Sequence, residues 1–155
     1  MDVTTSIEQV AGILHRAGLE FDTCGAGDEY LLLFEPAEAV FISFEAWGDD
    51  GVVVTVTSPV LQDIEPDGVG AAIVQSRLQE WNASHRFAKF LWSDGALLLA
   101  HDVLGDTLQA GELLNAVHGI AALATRLADE LEHEVVGHRF RAVLEQPDLE
   151  EVEDE

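Results

Sequence analysis

The chain has 155 residues, of which 48% are hydrophobic, enough for one packed domain and too few for two. Thirty Asp and Glu against seven Lys and Arg give a formal net charge of −23, which opposes binding to nucleic-acid phosphates or to anionic lipid. No apolar run reaches the length of a membrane span, and the N-terminus lacks the apolar core of a signal peptide. A single cysteine, Cys24, excludes an internal disulfide, so we predict a cytoplasmic protein.

The acidity has two explanations that the sequence leaves open. It reflects either an acid-biased proteome or selection for a basic partner. The C-terminal segment 145–155 is dense in Asp and Glu and has only two sizeable apolar side chains. Such a segment buries too little surface to offset the entropy cost of ordering. We therefore predict one domain over 1–144 and an acidic, disordered tail over 145–155.

The first half of the chain predicts one helix followed by four strands. Thr5 or Ser6 is a candidate N-cap, an apolar stripe follows, and Gly18 ends the helix. The next four segments are short, apolar or alternating, and separated by Gly- and Asp-rich turns. Turns this short favour an antiparallel meander, because parallel strands need longer crossovers.

The second half predicts a helix, a hairpin and a long helix. The hairpin strands flank the turn at Ser93-Asp94-Gly95, and Asp106 or Thr107 is a candidate cap for the third helix. The fold class is therefore α+β, with three helices and an antiparallel sheet made of a four-strand meander plus a hairpin. The element order is α-ββββ-α-ββ-α.

Helix three carries a wide apolar stripe. Its main row has spacings of three and four residues, at Leu113, Val117, Ile120, Ala124, Leu127 and Leu131. A flanking row widens the stripe beyond one seam. This predicts that part of the stripe packs against a second chain, either a second copy of this protein or a client protein. The alternative is packing on the parent sheet alone.

Aromatic side chains on the strands are the second candidate for partner binding. Phe41 and Trp47 alternate with Ile42 and its apolar neighbours, and Phe90 and Trp92 lie opposite Leu91. If helices cover the other face, these four aromatics form a platform for a partner. Ordinary burial on both faces is the alternative.

No pattern in the sequence predicts catalysis, a cofactor or a metal. His133 and His138 are five residues apart, whereas a zinc-protease helix needs histidines four apart on one face. The Gly25-Ala26-Gly27 segment lies between two strands and opens no helix that could hold a phosphate. We therefore predict that the protein is not an enzyme and has no catalytic, cofactor-binding or metal-binding residues.

The segment from Leu78 carries a resemblance to a known family. Leu78 to Asn82 is Leu-Gln-Glu-Trp-Asn, Arg86-Phe87 follows at the next strand, and Asp94-Gly95 forms a hairpin turn. This order resembles the YbjN family of small bacterial proteins, whose fold is similar to that of type III secretion chaperones of the CesT kind. The resemblance implies a non-enzymatic, peptide-binding or chaperone-like role, with a homodimer as one expectation, and it carries over no functional residue.

We therefore expect a module that binds a segment of another protein on its sheet or along helix three. The expected partner surface comprises Phe41, Trp47, Phe90, Trp92, Leu113, Val117, Ile120 and Leu127. The alternative is an acidic immunity or inhibitor protein that covers a basic partner by charge complementarity.

Overall fold

A computed structural model describes residues 1–34, 38–135 and 137 of the chain. The elements, in chain order, are α1 (Val3–Arg16), β1 (Asp22–Cys24), β2 (Glu29–Phe34), β3 (Glu38–Trp47), β4 (Gly51–Leu61), α2 (Val69–Ser84), β5 (Lys89–Ser93), β6 (Ala96–Leu104) and α3 (Ala110–Leu131). This order, with its fully antiparallel sheet, confirms the predicted fold class. The predicted tail 145–155, the domain boundary at 144 and His138 lie outside the described residues.

The six strands form one sheet in the order β1-β2-β3-β4-β6-β5. The four strands of the meander, β1 to β4, lie side by side in the order in which they occur in the chain. The β5–β6 hairpin joins this sheet through β6, which pairs with β4 along most of its length. At the hairpin turn Asp94 and Gly95 both have positive φ, 46° and 82°, as a two-residue turn requires. A Cβ at Gly95 would lie 2.8 Å from the carbonyl oxygen of Ile64, so glycine also permits the loop after β4 to approach the turn.

Two helix starts differ from the predicted ones. Asp2 caps α1, because its Oδ1 accepts a hydrogen bond from the Thr5 backbone N–H at 2.8 Å, so Thr5 and Ser6 lie inside the helix. Gln109 is the N-cap of α3 and makes no side-chain capping bond. Asp106 accepts instead from the Val52 N–H at 3.1 Å, and so connects the end of β6 to the start of β4.

All three helices lie on one face of the sheet, here called the inner face. The Tyr30 hydroxyl donates to the Ile7 carbonyl oxygen of α1 at 3.2 Å. The Phe34 ring meets His118 of α3, and the Phe90 ring stacks on Trp81 of α2, with centroids 5.6 Å and 5.4 Å apart. The strand register places Tyr30, Phe34 and Phe90 on the same face. The opposite, outer face has no helix of the described chain against it.

The apolar stripe of α3 is core, which corrects the expectation that a second chain shares it. Each main-row side chain of the stripe is at most 3% exposed within the single chain, as is Ala128 of the flanking row. The helix packs across β3, β4 and β6, so it needs a stripe wider than one seam to cover its own sheet. The buried α3 residues are Leu113, Ala116, Val117, Ile120, Ala121, Ala124, Leu127, Ala128 and Leu131.

Candidate binding surfaces

The outer face of the sheet carries the first candidate surface. Trp47, at the end of β3, is 62% exposed, and Phe41 of the same strand is half-buried. The register places three more exposed apolar side chains on this face: Leu33 of β2 is 46% exposed, Leu91 of β5 38% and Leu104 of β6 51%. The structure therefore places two of the four predicted aromatics here, together with three leucines that were not among the predicted partner-binding residues.

Phe90 and Trp92 lie on the inner face, which corrects their predicted position. Phe90 is 2% exposed, with Trp81 on one side and the His85 ring 4.9 Å away between centroids. Trp92 is half-buried and packs against the core. The physical reason is that α2 covers this side of β5, so the more polar set, to which Lys89 belongs, takes the outer face.

The edge of the sheet at β5 is closed by a side chain. The Asn82 Nδ2 donates to the Phe90 carbonyl oxygen at 3.1 Å, and the Phe90 backbone N–H donates to the Asn82 Oδ1 at 2.7 Å. These are the two backbone groups of Phe90 that point away from β6, and the amide satisfies both as a neighbouring strand would. Asn82 lies inside α2, two residues before its end, so its side chain reaches the edge strand from the last turn of the helix.

A cleft of about 440 Å³ lies between α3 and the segment 85–88 that connects α2 to β5. Phe87 forms part of its wall, is 75% exposed, and stacks on the His101 ring with centroids 5.7 Å apart. The lining is mainly apolar, and the full set is His85, Arg86, Phe87, Ala88, His101, Glu112, Asn115, Ala116, Gly119, Ile120 and Leu123. No pattern in the sequence indicates this cleft, because the residues that form it come from three separate segments.

Burial lowers the pKa of His101, although the nearby carboxylates of Asp102 and Glu112 act in the opposite direction. The imidazole is therefore held in its neutral form near pH 7. Asp102 lies on the outer face, where it accepts from the Thr55 hydroxyl at 2.8 Å and pairs with Lys89 at 3.2 Å. The cleft thus combines an apolar floor with a neutral histidine.

A second cleft, of about 580 Å³, lies between the end of α1 and the first two strands. Leu31 and Leu33 line it, so it is continuous with the outer face at the β1 side. Glu20 and Asp22 give its rim an acidic character. The outer face therefore ends at this side in a groove suited to a cationic chain segment.

Comparison with known proteins bears on these surfaces. Over residues 8–143 the chain matches the family described as T3SS (YopN, CesT) and YbjN peptide-binding chaperone 1. The chain belongs to this family. The match confirms the resemblance to YbjN proteins and CesT-like chaperones. No curated protein matches the chain.

The described residues contain neither a reactive thiol at Cys24 nor a cluster of metal-ligating side chains. Burial, together with the neighbouring Glu29 carboxylate, raises the pKa of the Cys24 thiol, which keeps it protonated and weakly nucleophilic. No group of three or more His, Cys, Asp or Glu within 1–34, 38–135 and 137 could hold a metal ion. In the same part of the chain, every helix is too short or too polar to cross a membrane.

Proposed function

We propose that this protein is a non-enzymatic, chaperone-like module that holds an extended segment of a client protein against the outer face of its sheet. The observation that carries the proposal is the one-sided covering of the sheet. Three helices pack on the inner face, while Leu33, Trp47, Leu91 and Leu104 stand exposed on the other. Membership in a family described as peptide-binding chaperones supports the same role.

Apolar contact supplies the affinity in this proposal. Fully burying one exposed leucine-sized side chain contributes roughly 1.5–3 kcal/mol, so two or three contacts give appreciable binding before the costs of association. An extended client presents every second side chain to the sheet, which matches the spacing of outward-facing positions along one strand. The net charge of −23 acts at longer range, attracting basic segments and raising their rate of encounter.

The acidic-inhibitor alternative uses the charge and leaves the apolar outer face without a role. The family match gives that alternative no support. The homodimer and the cytoplasmic location stay predictions. A dimer would have to use a surface other than the buried stripe of α3, such as the exposed apolar side chains of the outer face.

The test combines a peptide array with two substitutions and a matched control. The array screens overlapping unstructured peptides, and the binders are then measured in solution by fluorescence anisotropy. Trp47→Ala and Leu104→Ala should each weaken binding by roughly tenfold, the equivalent of about 1.4 kcal/mol. Val69→Ala is the control, because Val69 is 78% exposed on α2, away from the outer face.

Measuring the same peptide affinities at several salt concentrations separates the chaperone-like function from the acidic-inhibitor alternative. A complex held by apolar contact should change in affinity by only a few-fold between low and high salt, whereas a charge-led complex should weaken steeply. Unchanged binding by both outer-face variants, or a steep loss of affinity with salt, would count against the proposal.

A further inference from the structure

Two features of the cleft beside α3 are unfavourable for an isolated chain. Phe87 keeps 75% of its surface exposed although it is a large apolar side chain. Gly119 lies in the middle of the 22-residue helix α3, where glycine is disfavoured relative to alanine. Both residues face the same cleft.

The packing of the chain itself does not explain Gly119. A Cβ built at this position meets no atom of the described residues within 4 Å, so alanine or a larger residue would fit there. The absence of a side chain instead deepens the cleft and bares helix backbone on its floor, beside Ala116 and Ile120. A glycine that costs helix stability and clears space in an apolar cleft points to an occupant that uses the space.

The charged groups at the cleft leave its local charge balanced. Arg86 and Glu112 both line it, neither has an ion pair within 4 Å in the described part of the chain, and their charges cancel. The other titratable groups there are His85 and His101. Because the charges at the cleft balance, the net charge of −23 on the whole molecule decides the preference, and it favours a positively charged occupant.

We propose that this cleft is a second binding site, which receives one large apolar side chain of a client segment with Lys or Arg beside it. Phe87 and Leu123 line the cleft around the inserted side chain, and Glu112 pairs with the adjacent cation. This inference rests on the proposed function in that the occupant belongs to a client. The site itself is on the helical side of the molecule, separate from the outer face.

The experiment fills the cleft and varies the probe. Three capped, fluorescein-labelled peptides of equal length carry at their centre Lys-Phe-Lys, Glu-Phe-Glu or Lys-Ser-Lys, with glycine and serine elsewhere. Gly119→Leu places a side chain in the cleft, and Gly111→Leu is the matched control. Gly111 lies on the same helix with open space around its Cβ, and it does not line the cleft.

The Lys-Phe-Lys peptide should bind the full-length protein at least roughly tenfold more tightly than either of the other two. Gly119→Leu should weaken this binding by roughly tenfold or more, and Gly111→Leu should leave it within about twofold. Phe87→Ala serves as a second variant if Gly119→Leu fails to fold, since truncating an exposed side chain leaves the core intact. It should weaken binding in the same direction.

Each other outcome overturns a defined part of the inference. Equal binding of Lys-Ser-Lys would show attraction by charge alone, and equal binding of Glu-Phe-Glu would remove the basic character of the occupant. Loss of binding in Trp47→Ala but not in Gly119→Leu would reject this site and leave the outer-face proposal standing. Loss in Gly119→Leu with unchanged binding in Trp47→Ala is the expected result for a site separate from the outer face, and it leaves the outer-face proposal to its own test.

Discussion

Replacing Asn82 by alanine tests the closure of the sheet at β5. The substitution removes two hydrogen bonds, at 2.7 Å and 3.1 Å, that the amide makes with the backbone of Phe90. A net hydrogen bond contributes about 0.5–1.5 kcal/mol, so the pair contributes about 1–3 kcal/mol. Alanine is the better helix former by up to about 0.7 kcal/mol, which offsets part of the loss. We expect a net destabilisation of about 1–2 kcal/mol.

Urea unfolding followed by circular dichroism measures this loss, with Gln79→Ala as the control. Gln79 is exposed on the same helix, so its replacement reports the helix-propensity gain without the lost contacts. Hydrogen exchange at the Phe90 amide gives the second, local readout, because that N–H loses its acceptor and should exchange faster in the variant. A stability within about 0.3 kcal/mol of the control, with unchanged protection of the Phe90 amide, would refute the reasoning.

Three further predictions follow from single residues. Gly119→Ala should stabilise the protein by about 1 kcal/mol and raise Tm by about 2–4 °C in a thermal scan, because alanine has the higher helix propensity and its Cβ has free space there. A lower Tm would mean that the helix needs glycine at this position. Hydrogen bonding by the Val52 N–H lowers the pKa of Asp106, so the stability advantage over Asp106→Asn should be complete above about pH 5 and shrink as the pH falls through the folded pKa. A difference independent of pH down to about 2.5 would contradict this. Burial lowers the pKa of His101, so on acidification the unfolded state takes up the proton first, and the free energy of unfolding should fall as the pH drops below about 6.5. His101→Gln should flatten that part of the plot of stability against pH. An unchanged slope would assign the pH dependence to another group.

The element order was predictable because turn chemistry and apolar periodicity agree along the chain. Asp94-Gly95 has the positive φ angles that its sequence predicts, and the meander follows from connections too short for crossovers. The insertion of β6 beside β4 was not predicted, since either hairpin strand could have joined the meander. The sequence does hold a weak signal. Ala96–Leu104 is the longer and more apolar strand, as suits an interior position, whereas Lys89–Ser93 is short and begins with a lysine, as suits an edge.

The candidate site was only partly predictable, because face assignment depends on what covers each strand. Trp47 and Phe41 lie on the predicted face, whereas Phe90 lies on the other because α2 places Trp81 over it. The stripe of α3 has the same spacing whether it packs on one surface or two, and only the tertiary structure shows that its own sheet occupies it fully. The cleft at Phe87 and Gly119 depends on contacts between distant segments, which periodicity does not report.

The amide of Asn82 at the β5 edge also limits how copies of this protein could assemble through their sheets. A sheet extends without end only if every copy offers two usable edges, one to accept a neighbour and one to pass the pairing on. Here the backbone groups of Phe90, the second residue of β5, are already bonded to Asn82, which interrupts the ladder that an incoming strand would form there and leaves β1 as the open edge. Pairing of β1 with β1 is symmetric and uses up the edge on both copies. Edge-to-edge growth would therefore stop at two chains rather than continue into a filament, and Asn82 is the residue whose loss would remove that limit.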